Sequence, residues 1–93
     1  MITVSAKLAF YIADATSLKD KRQVRRSLID KVRQRFNVSV AEVDTQDIQQ
    51  TLTIGIAVVS SDVAFAQRSL DEIIRFMEKN AEAELTNVEK NYE

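Results

Sequence analysis

The side chains with the most chemical capacity in this chain crowd into one short stretch. Between residues 17 and 37 stand eight cations, Lys19, Lys21, Arg22, Arg25, Arg26, Lys31, Arg33 and Arg35, against only Asp20 and Asp30, a net of +6. Arg22 and Arg26 are one helical turn apart, and Arg33 follows two turns later, so on a helix they form a row of planar guanidinium forks. Such forks match phosphate oxygens, which makes Lys19, Lys21, Arg22, Arg25, Arg26 and Arg33 candidate RNA-binding residues. The ordinary alternative is a solvated helix face, because Lys and Arg are good helix formers. The scarcity of interleaved acids for i,i+4 pairing gives the functional reading equal standing with that alternative.

Other chemistry is largely excluded. The 93 residues contain no Cys and no His, which removes disulfides, thiol catalysis, Cys/His zinc sites and every Ser-His or Cys-His pair. One glycine and no proline leave no phosphate-cradling loop of the Walker or dinucleotide type, and no GXXG clamp. Glu42, Asp44 and Asp47 gather near a turn and could hold Mg²⁺ or act as acid and base. Turn carboxylates commonly bond their own backbone instead, so no metal ligand, catalytic residue or cofactor is assigned, and a non-enzymatic protein is expected. The longest apolar stretches, Leu8 to Ala13 and Ile54 to Val59, are far short of a bilayer crossing, so a cytoplasmic protein without membrane contact is expected.

The basic row needs elements to position it. Ile2, Val4, Ala6, Leu8, Phe10 and Ile12 alternate with Thr3, Ser5, Lys7, Ala9, Tyr11 and Ala13, the period of a half-buried strand. Ser17 with Asp20 three residues on predicts a capping box, followed by a helix to about Phe36 whose inner stripe is Leu18, Val24, Leu28, Ile29, Val32 and Phe36. Val38 to Thr45 reads as a strand of imperfect alternation, suited to a bulge or an edge, and Gln50 to Ser60 as its hairpin partner. Asp62 predicts the cap of a second helix with Val63, Ala66, Leu70, Ile73, Ile74 and Met77 inward, Phe65 and Phe76 belonging to the core, and Asn80 at its end. Glu82 to Tyr92 alternates weakly, with Leu85 and Val88 on opposite parities, and predicts an edge strand.

The order β-α-β-β-α-β is that of an α+β ferredoxin-like domain, a single unit over residues 1–93. A four-stranded antiparallel sheet would carry both helices on one face and leave the other open. Tyr11 is the one aromatic expected on that open face, which argues against base stacking there. Its Ala, Val, Gly and Thr residues suit a second protein surface, so Ala9, Tyr11, Ala57 and Val59 are candidate interface residues, and the alternative function is a protein-interaction or regulatory module that homodimerises through this face.

Ser17-Leu18-Lys19, Lys21-Arg22, Ser27-Leu28, the run Phe36 to Val43, Gln46-Asp47 and Gly55-Ile56-Ala57-Val58-Val59-Ser60 together resemble the YlxP-like family of small bacterial proteins. The resemblance spans nearly the whole chain and implies a ferredoxin-like fold. Genes of the family tend to lie beside those for translation initiation and ribosome-binding factor A, which implies a role near small-subunit maturation or translation, with ribosomal RNA or the ribosome as partner and no sequence-specific reading of DNA. Family members carry Trp and Arg after the Gln-Asp pair, where this chain has Gln49 and Thr51. The resemblance therefore transfers no binding role to that loop.

Overall fold

The computed structural model describes residues 1–92 as one sheet backed by two helices. The elements are β1 (Ile2–Tyr11), α1 (Leu18–Arg35), β2 (Ser39–Glu42), β3 (Thr51–Ser60), α2 (Val63–Asn80) and β4 (Glu84–Tyr92). Strand order is β2-β3-β1-β4, with every neighbouring pair antiparallel, which is the α+β ferredoxin-like arrangement.

Alternation in the two central strands builds the core. Val4, Ala6, Leu8 and Phe10 of β1 face Val58, Ile56, Ile54 and Leu52 of β3 in register, and all eight are buried. They meet Leu28 and Val32 of α1 and Ala66, Leu70, Ile73, Ile74 and Met77 of α2. Ser17 caps α1 by accepting from the Asp20 N–H at 3.1 Å, as the sequence predicts. The Asp20 carboxylate reaches one residue further back than a capping box requires, accepting from the Thr16 N–H and hydroxyl at 3.0 and 2.8 Å. Asp62 caps α2 by accepting from the Ala64 N–H.

Three expectations need correction. Val63 lies in the first turn of α2 and is 48% exposed; Phe65 falls about 130° round the helix from the buried stripe and is 53% exposed, so neither belongs to the core. The weak alternation of the last strand is the trace of a bulge: Leu8 pairs Val88 and Phe10 pairs Leu85, with a register shift between Ala9 and Phe10. The extra residue returns Leu85 and Val88 to the helix-facing side and interrupts an edge that is otherwise open to pairing. Strand β2 is shorter than predicted because the chain leaves the sheet after Val43, where Asp44 takes a left-handed φ of 68° that a short polar side chain tolerates.

Candidate nucleic-acid interface

Helix α1 is one uninterrupted run of 18 residues, and its register decides which cations reach water. At 100° per residue, Lys19, Arg22, Arg26 and Arg33 fall within an arc of about 60°, spread over roughly 21 Å of axis. All four are exposed. Among the described residues none of them has an acidic partner within ion-pair distance. Arg33 spends one N–H on the Val40 carbonyl at 3.3 Å, which anchors its stem against β2 and leaves its other donors outward.

Lys21 departs from its predicted role. Its side chain is 2% exposed, because position 21 shares the inward stripe of Leu28 and Val32 rather than the arc of Arg22 and Arg26. Its ammonium group donates to Glu42 Oε2 at 2.7 Å, to the Ile48 carbonyl at 2.6 Å and to the Thr45 carbonyl. Three acceptors satisfy its three N–H bonds, so Lys21 has nothing left for a phosphate. Arg25 is also diverted: Nη1 donates to Glu42 Oε1 at 3.1 Å, and the guanidinium side chain is 30% exposed.

Glu42 is thus the centre of a buried polar cluster that joins α1, the end of β2 and the following loop. Its side chain is 4% exposed. Thr45 completes the cluster, its hydroxyl donating to Glu42 Oε2 at 3.1 Å while accepting from the Thr53 N–H at 2.9 Å. Desolvation pushes the Glu42 carboxyl up, but the hydrogen bonds from Lys21, Arg25 and Thr45 together outweigh it and hold the group below its ordinary 4.5. A carboxyl more acidic in the folded than in the unfolded chain adds stability above the unfolded pKa and loses it as pH falls through the folded one. Acid titration of unfolding should therefore show stability falling below about pH 4.5. The fall should be shallower in Glu42→Gln, and equal slopes for the two proteins would assign the acid loss to other carboxyls.

The loop acids do not converge. Glu42 points to the helix side, whereas Asp44 sits over the open sheet face and accepts from Lys7 at 2.9 Å. Among the described residues no group of carboxylates is placed to hold a metal ion. Lys7 also lies 4.0 Å from Glu89, so a charged cluster occupies the middle of the open face.

That cluster divides the candidate interface residues. Tyr11 and Ala9 stand opposite Thr51 and Thr53, while Ala57 and Val59 stand opposite Ser5 and Thr3. The two pairs are separated by about 13 Å of strand, with Lys7 in the row between them. Val59 and Phe65 instead line a groove together with Arg35 and Phe36.

The remaining cations of α1 are engaged in ways the spacing did not reveal. Lys31 donates to the Asn80 carbonyl at 3.3 Å, tying the C-terminal part of α1 to the end of α2. Arg35 lies over the rings of Phe36 and Phe76, at 5.7 and 5.2 Å from their centroids, and those rings meet edge to face at 5.3 Å. No helix among the described residues is long and apolar enough to cross a membrane.

Comparison with known proteins agrees with the pattern of residues described above. Residues 3–90 match a family model described as a protein of unknown function, DUF503. The chain is also similar to the uncharacterized protein YlxP of Bacillus subtilis (strain 168), at 39% identity over 75 residues that cover 81% of this chain and 82% of that protein. The matched span takes in both central strands, the basic helix and the Lys21–Glu42 cluster. On this evidence the chain belongs to the YlxP-like DUF503 family.

Proposed function

We propose that this chain is a non-enzymatic RNA-binding protein that docks on ribosomal RNA or its precursor, near small-subunit maturation or translation. The single observation that carries the reading is the arc of Lys19, Arg22, Arg26 and Arg33, exposed on one rigid helix and unneutralised by acids among the described residues. With an overall charge of only −1, attraction to a polyanion is local to this face. The neighbourhood that the family's genes share with translation genes supports RNA as the polyanion. A homodimer across the open sheet has weaker support, because Lys7, Asp44 and Glu89 stand between the two ends of its apolar surface.

Titration of the purified protein with small-subunit ribosomal RNA at several salt concentrations tests the proposal. Four phosphate contacts predict a slope of log K against log salt of about −3 to −4, with affinity on the order of 10⁻⁴ to 10⁻⁶ M from this term alone. A slope near zero would overturn it.

A further inference from the structure

Resting on that reading, we infer that the basic face of α1 recognises double-stranded RNA across its minor groove, with Asp30 placed to accept a hydrogen bond from the sugar 2′-hydroxyls. Three observations lead there. The strip has no stacking platform: Tyr11 is on the open sheet face, Phe65 at the start of α2, Tyr92 at the end of β4, and the half-buried rings of Phe36 and Phe76 have Arg35 over them. Single-stranded nucleic acid is held by aromatic faces on which successive bases stack, so a strip of cations alone suits the regular phosphate rows of a duplex.

The cation row is also interrupted at one point. Lys19, Arg22 and Arg26 form a group, then about 10 Å of axis separates Arg26 from Arg33. Asp30 lies in that interval, exposed and without an ion-pair partner among the described residues, although Arg26 and Arg33 are four and three residues away. A carboxylate facing a phosphate would be repelled. Between two phosphate rows it faces the groove floor instead, where the minor groove of an A-form helix displays 2′-hydroxyl donors.

The seating of α1 selects among grooves. Arg25 is tied to Glu42 on one flank and Lys31 to Asn80 on the other, so the helix lies flush in its layer with only an arc of its surface outward. So seated, it offers a broad, low surface, which fits the mouth of a wide groove better than a B-form major groove roughly 8.5 Å deep or a minor groove about 6 Å wide. The wide, shallow minor groove of duplex RNA accepts a helix laid across its mouth.

The test compares duplex RNA, duplex DNA of the same sequence and single-stranded RNA, each of about two helical turns, by fluorescence anisotropy in one buffer. Duplex RNA is expected to bind tightest. In Asp30→Ala the preference for duplex RNA over duplex DNA should shrink by about two- to tenfold, the effect of one hydrogen bond, even as loss of the negative charge strengthens both. Asp30→Asn, which keeps a carbonyl acceptor, should retain most of the preference. Equal binding of single-stranded and duplex RNA, or an RNA-to-DNA ratio unmoved by Asp30→Ala, would overturn the inference while leaving an RNA-binding α1 intact. Binding to none of the three would overturn both.

Discussion

Replacing Lys21 by Met is expected to cost about 3–5 kcal/mol of folding stability, the range found when one partner of a buried ion pair is removed. Met preserves most of the aliphatic volume, so the loss measures the ammonium group. Without it, the Glu42 carboxylate, 4% exposed, keeps only Arg25 and Thr45. The Thr45 and Ile48 carbonyls lose a donor at the same time, which frees the loop that joins β2 to β3 from α1. Against a total stability of about 5–15 kcal/mol for a small domain, this is a large fraction. For a chain of this size the melting temperature should fall by at least roughly 12 °C. A double-mutant cycle with Glu42→Gln separates the pair from its surroundings: the double variant should be less destabilised than the two single losses summed, because each single change strands a charge that the other removes. A cost below about 1 kcal/mol would place Lys21–Glu42 with exposed ion pairs and refute the account of a buried anchor.

Lys21 also marks where the sequence is legible and where it is not. The central strands were readable because Ile2 to Ile12 and Leu52 to Val58 alternate without a break, and alternation on neighbouring strands leaves one face for both helices. The bulge in β4 hid because its extra residue reverses parity, which in a single strand looks like noise and resolves only when Leu85 and Val88 are seen opposite Phe10 and Leu8. Val63 shares the helical spacing of the buried residues, but how far a helix overhangs its sheet is set by the tertiary crossing; Phe65 lies about 130° round α2 from that stripe, so the spacing itself places it outside. The anchor left two signals. Lys21 precedes Leu28 by seven residues, which places it on the inner stripe, and Glu42 shares the parity of Val38 and the buried Val40. Each alone resembles an imperfect pattern; together they are complementary charges on inward positions of two elements. The geometry that makes them partners depends on the closing loop, whose Thr45 and Ile48 carbonyls no spacing rule places near α1.

Changing Arg22, Arg26 and Arg33 together to Gln should reduce affinity for small-subunit ribosomal RNA by roughly tenfold or more at low salt. It should also flatten the slope of log K against log salt by about 2 to 3, from about −3 to −4 toward −1, because three of four phosphate contacts vanish. Gln keeps length and hydrogen-bonding capacity, and glutamine is nearly as good a helix former as arginine, so α1 itself should survive. Arg33 has one structural bond, to the Val40 carbonyl, which a Gln amide can replace only if it reaches as far. Arg22→Gln with Arg26→Gln alone therefore serves as the control, with a slope change of about 2. Lys21→Met supplies the opposite case. Its cation is part of the chain's formal charge, yet the side chain is 2% exposed and already neutralised by Glu42. Measured where that variant is still folded, its salt slope should equal that of the parent protein. If charge count alone governed binding, Lys21→Met would lower the slope as much as any single arginine change. If position on the exposed arc governs it, the two classes of variant separate cleanly: one loses stability without losing its salt response, and the other loses the response while melting near the parent's temperature.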